Sequence, residues 1–281
     1  MVFEALINPK RPVKHPTEMI ALGAFYASLA LLLAVWIFES NAGLVMVFFV
    51  VMAYAPFFYY TIKLEEKKDM TGMGEEPLLK EHGRVVSLFI YFFIGVTLAT
   101  AFWYVVLPES GSIFSIQQKT IADINTAVTT GAVAAEKLLP VIFFNNLRVL
   151  VLCVLFSLFY GFGALFILSW NASVIGVAVG NFMKNHIAQY AGLLGLEKVS
   201  VYFTAASLGF LRYAIHGIPE VLAYFIGGLA GGILSVSIIR RDFRKENFQK
   251  VVIDVVDLLL IAVFILLVAA LLEVYLTPLL F

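Results

Sequence analysis

Apolar runs of about 20 residues, separated by short polar punctuation, dominate the chain from Thr17 onward. As helices, runs of that length match the thickness of a bilayer's hydrocarbon core; barrel strands would be about half as long and would alternate. The pattern predicts helices over 17–38 and 44–62, joined into a hairpin by Glu39-Ser40-Asn41-Ala42-Gly43. A charged loop, 63–84, leads to a third helix over 85–107. Residues 108–140 form the longest polar stretch. Within it Ile116, Ile121, Ile124, Val128 and Val133 recur at helical spacing, which predicts one or two amphipathic helices lying at the interface as an outer cap. A fourth span is expected over 147–169. Residues 171–215 are ambiguous because Asn181, Lys184, His186, Glu197 and Lys198 interrupt the apolar pieces: one span plus an interfacial helix, or a broken, re-entrant element. Spans over 217–239 and 251–274 complete the chain. The fold class expected is all-α, a polytopic membrane helix bundle with about seven transmembrane helices.

Composition strengthens this. Hydrophobic residues make up 62% of the chain and charged residues 14%, with a mean hydropathy of +0.96, outside the range of soluble domains. Net charge is zero and no basic block is large enough to neutralise a row of phosphates, so nucleic acid is excluded as a partner. Cys153, the single cysteine, stands in an apolar run and supports neither a disulfide framework nor a thiol metal site. The first apolar run is long for a signal-peptide core and lacks a small-residue cleavage site, so it is expected to be retained.

Charge also sets an expected orientation. Thirteen of the 19 Lys and Arg fall in residues 1–14, 63–84 and 240–250, and the positive-inside rule makes that side cytoplasmic. An odd number of crossings follows, with the N-terminus in the cytoplasm, 108–145 outside and the C-terminus outside, in a multi-pass protein of the cell membrane.

Polar groups inside such runs are the candidates for function, because amide and charged side chains are costly in hydrocarbon and persist where they pair or serve a task. They are Asn145, Asn146, Arg148, Asn171, Asn181, His216 and Glu220. The order Phe143-Phe144-Asn145-Asn146, then Asn171, Gly176 and Gly180, then His216-Gly217-Ile218-Pro219-Glu220 followed by Gly227-Gly228 and Gly231-Gly232, resembles the stage II sporulation protein M family. The resemblance covers roughly residues 85–275, which divides the chain into an N-terminal hairpin and loop, 1–84, and a family-like membrane domain, 85–281. It implies a five-span membrane fold and a role similar to a membrane platform that recruits cell-wall-degrading partners.

His216 and Glu220, four residues apart, share a helix face. A metal site would need further ligands from His186, Asp254, Asp257 or Glu273, and the second His of a His-Glu-x-x-His motif is missing, so no metal and no cofactor are expected. The structural alternative has Glu220 accepting from His216, Arg148 or a backbone amide and so pinning adjacent helices. Asn145 and Asn146 are placed to cap the fourth helix, and all the amides can bridge helices. Gly176 and Gly180, Gly227 and Gly231, and Gly228 and Gly232 stand at small-xxx-small spacing, which permits close helix packing or a homodimer interface. The expectation is a non-enzymatic integral membrane scaffold, in contact with membrane lipids and a protein partner. Its rivals are a transporter or channel with a polar site at Asn146, His216 and Glu220, and an intramembrane metal-dependent hydrolase.

Overall fold

The computed structural model describes residues 17–38, 41–69, 75–130, 135–160, 164–189, 195–239 and 248–280. Lys10, Arg11, Lys14 and the basic run 240–247, on which the expected orientation partly rests, lie outside them. Among the described residues every regular element is helical. The elements are α1 (Glu18–Phe38), α2 (Ala42–Asp69), α3 (Glu75–Val106), α4 (Ser110–Ile113), α5 (Ser115–Thr130), α6 (Ala135–Tyr160), α7 (Ala164–Gln189), α8 (Gly195–Ile239), α9 (Phe248–Leu271), a π-helical turn (Leu272–Leu276) and α10 (Thr277–Leu280). Among the described residues six helices are long and apolar enough to cross a membrane, and α2 adds a shorter apolar stretch, Ala42–Phe58. The protein is an all-α polytopic membrane bundle.

The outer helices α1 and α9 bury one stripe and leave the rest to lipid. In α1 the buried positions Met19, Gly23, Tyr26, Ala27, Ala30, Leu31 and Ala34 repeat every three or four residues, as do Val251, Val255, Leu258, Ala262, Leu266 and Ala269 in α9. The middle of the bundle belongs to α8, which packs on α9, α6, α7, α2 and α3 and has 78% of its most apolar stretch buried, against 17% for α6. One continuous core runs from Met19 to Leu266, so the N-terminal hairpin shares its packing with the residues after 85.

Two boundaries differ from those expected. The fourth span, expected over 147–169, ends at Tyr160, and Trp170 and Asn171 belong to α7. The sequence between the two described helices is Gly161-Phe162-Gly163, and its apolar phenylalanine lets the apolar run read on without interruption. The span expected to begin at Gly217 is the second half of α8, a helix of 45 residues. Gly217 and Pro219 lie in its interior; in a bilayer no water competes for the backbone groups a proline frees, and neighbouring helices steady the turn. The described residues of 171–215 are thus divided between α7 and the N-terminal half of α8.

At one end of the bundle, Nε2 of the buried His82 at the start of α3 lies 3.0 Å from Oδ2 of Asp254 at the start of α9. At the other end, α4 and α5 are tied down. Lys184 Nζ donates to Ser110 Oγ at 2.6 Å and stands 5.0 Å from the centre of the Tyr104 ring. Buried Gln117 donates to Ser173 Oγ at 3.3 Å. Asn41, in the left-handed backbone region that Asn tolerates at φ 59°, accepts from Ser115 Oγ at 2.9 Å.

Candidate functional site

Three polar side chains of α8, His216, Glu220 and Tyr224, recur every four residues and form a single row. Tyr224, whose side chain is fully buried, donates its hydroxyl to Glu220 Oε1 at 2.6 Å. That is Glu220's partner; the expected acceptance from His216 or Arg148 is replaced by a bond one turn further along the same helix. His216 Nδ1 lies 3.2 Å from Thr277 Oγ1 of α10. Thr277 Oγ1 also donates to the Leu272 carbonyl at 3.1 Å. Glu273, in the π-helical turn, comes within electrostatic reach of both Glu220 and Tyr224. A π-helical turn shifts register by one residue and re-aims side chains, a device frequent at functional sites. Thr277, Tyr224 and the turn around Glu273 are the parts of this cluster that sequence spacing did not reveal, because they depend on how the C-terminal helix folds back along α8.

α6 supplies the third wall. An added Cβ at Gly227 would crowd the Leu150 side chain, and one at Gly231 would stand 2.5 Å from the Val154 carbonyl, so the two helices run parallel in register. One turn earlier, that register sets Asn146 level with Ala223, between Glu220 and Gly227. Asn146 is 6% exposed, and its Nδ2 has no hydrogen-bond partner among the described residues. Neither Asn145 nor Asn146 caps a helix, since α6 begins ten residues earlier at Ala135; Asn145 and Arg148 both point outward and are exposed.

The remaining candidates are dispersed. Asn171 is half-buried on α7. Asn181 is exposed at the far end of α7 and accepts from the Tyr104 hydroxyl at 3.4 Å, while Gln118 donates to the same hydroxyl. The glycines do bring helices together. A Cβ at Gly176 would meet Thr100 at 2.7 Å and the Thr97 carbonyl at 2.8 Å, and one at Gly180 would meet Tyr104 at 2.8 Å. Gly228 faces Ala164, and Gly232 is buried on the same helix. Two unannounced glycines make the closest approach: Gly23 against the Phe92 carbonyl and Gly95 against the Ile20 carbonyl.

Among the described residues, no three His, Cys, Asp or Glu side chains converge as a metal would require. One cavity, of about 350 Å³, opens between α3, α8 and α9 beside His82, Ile226 and Leu258. An apolar groove between α3, α7 and α8 is lined by Phe93, Thr97 and Tyr213. Neither is lined by Asn146, His216 or Glu220.

A family model described as stage II sporulation protein M matches residues 85–278. The chain belongs to the stage II sporulation protein M family. No curated protein and no solved structure matches it. The family region begins within α3 and takes in α4 to α10, and therefore the whole cluster from Asn146 to Thr277. α1 and α2 stand outside the match, yet α1 lies against α3 at the Gly23 and Gly95 contacts. In this member of the stage II sporulation protein M family, the family core and the N-terminal hairpin fold as one packed unit.

Proposed function

We propose that the protein is a non-enzymatic membrane scaffold that presents its surface to a protein partner. The observation that carries this reading is the state of the inner cluster: Glu220 is taken by Tyr224 and His216 by Thr277, within helices held at glycine-to-backbone distance. Such a core suits a rigid platform, and family membership supports it. The N-terminus is cytoplasmic, the C-terminus is outside, and α4 and α5 lie on the outer side. Single cysteines at Ser112 and Lys67 in a Cys153→Ser background should label from opposite sides of sealed cells; labelling from the same side would overturn this topology.

A second reading, transport, is favoured by one observation: the Asn146 amide nitrogen, buried and without a hydrogen-bond partner among the described residues, lies in register with the turn of α8 that follows Glu220, as polar groups lining an ion site do. The two readings separate in one preparation. Purified from native membranes in mild detergent, the full chain is expected to carry a stoichiometric partner and, in proteoliposomes, to pass no sodium, potassium or protons. Ion flux that disappears in Glu220→Gln would replace the scaffold with a transporter. Zinc at near-stoichiometric amounts, lost in His216→Ala, would replace it with a hydrolase.

A further inference from the structure

The least buried span is Leu138–Phe159 of α6, with only 17% of its most apolar stretch covered by the rest of the protein. Its outward face is a continuous stripe, Val141, Phe144, Val151, Leu155 and Phe159, all at least 41% exposed and spaced by multiples of three to four residues. Asn145 and Arg148 interrupt that stripe and are exposed with it. Arg148 stands at the middle of the span, so roughly 15 Å of helix at 1.5 Å per residue separates it from either end. That is further than its side chain covers by snorkelling. No hydrogen bond or ion pair to Arg148 occurs among the described residues, and Glu220, the half-buried carboxylate nearest in register, is engaged by Tyr224. A guanidinium left in lipid at that depth is strongly disfavoured, and such residues pair.

We propose that this face of α6 is the docking site for one transmembrane helix of another protein, a helix that carries an Asp or Glu at matching depth. Charge complementarity selects the occupant. An isolated cation in an otherwise uncharged stripe calls for a carboxylate, and Arg offers it a planar fork of donors. The apolar residues above and below supply van der Waals packing along the helix, and Asn145, one turn away, adds an amide able to bond across the interface. A second copy of the chain fits less well: in a two-fold dimer through α6 the axis would bring Arg148 of one protomer against Arg148 of its partner. The inference deepens the scaffold reading by giving the partner's chemistry, and it rests on that reading only in taking the partner to be a protein.

The test uses the full chain in lipid nanodiscs or vesicles, with energy transfer to synthetic leucine-rich helices of about 20 residues. One carries a central Glu, one a central Gln, one a central Lys and one only Leu. The Glu helix should associate at least about tenfold more tightly than the all-Leu helix, the Gln helix less so, and the Lys helix not measurably. Arg148→Leu should fold normally, because the side chain is exposed, and should erase the preference for Glu; Arg148→Lys should keep most of it. A Glu helix that binds no better than the all-Leu helix, or a preference that survives Arg148→Leu, overturns the proposal. So does self-association of the chain that Arg148→Leu abolishes, which would assign the face to a second copy. Failure here is distinguishable from failure of the scaffold reading. A native partner that stays on Arg148→Leu leaves the scaffold standing and removes only this interface.

Discussion

Gly95→Leu should leave little folded protein, and Gly95→Ala should lower the melting temperature in detergent markedly, whereas Gly83→Ala, on the same helix, should be neutral or slightly stabilising. At Gly95 a Cβ would overlap the Ile20 carbonyl and approach the Ala24 amide nitrogen, and Gly23 makes the reciprocal approach to the Phe92 carbonyl. Both obstacles are backbone. A side chain can rotate away from a new methyl, but a helix axis must move, so the cost belongs at or above the upper end of the usual overpacking range of about 1–3 kcal/mol. The loss would spread, because α1 uses the same face to seat Tyr26 against Phe92 and to let Trp103 Nε1 donate to Ser28 at 2.9 Å. At Gly83 nothing lies within 4 Å, and Ala gains about 1 kcal/mol of helix propensity. Thermal melts of the three variants, followed by size-exclusion chromatography, check the ordering; equal melting temperatures for Gly95→Ala and Gly83→Ala would show that α1 and α3 are not in backbone contact.

This pair also marks where the sequence stops being readable. Gly23 and Gly95 are isolated glycines in two different spans, with no second glycine four residues away to announce them, and only three-dimensional packing joins them. The glycines that repeat at four-residue spacing, such as 227 and 231, could be anticipated as contact points. Span existence was legible for the same reason: an apolar run of bilayer length has few options in lipid. Boundaries were not, since the apolar run reads on through Phe162 while α6 is bounded at Tyr160, and Pro219 sits inside an unbroken helix. In the inner cluster His216, Glu220 and Asn146 could be picked out as polar groups in apolar surroundings. Their partners could not. Thr277 lies 61 residues from His216 along the chain, and Tyr224 is an ordinary aromatic residue until its hydroxyl is seen to end on Glu220. The same holds for His82 and Asp254, separated by 172 residues, where nothing in either local sequence indicates the other.

The bond between Tyr224 and Glu220 gives the second large effect. Glu220→Ala should destabilise the protein by about 1–3 kcal/mol, because it strands a buried phenol that has no water to turn to. Tyr224→Phe should cost somewhat less, since the half-buried Glu220 retains access to other donors, Asn146 being the nearest in register. Glu220→Gln should be close to wild type or better. The amide oxygen still accepts from Tyr224. Glu109→Ala, at an exposed position whose side chain caps nothing, is the control and should be silent. The double variant Glu220→Ala, Tyr224→Phe removes both ends of the bond and should cost less than the two single losses added together, by about 1 kcal/mol. Melting curves for the wild type and the five variants in one detergent and one lipid supply the cycle. Additive losses would mean that the two groups do not act on each other; a Glu220→Gln variant as damaged as Glu220→Ala would mean that the charge itself is needed, which belongs to an ion site and not to a rigid platform.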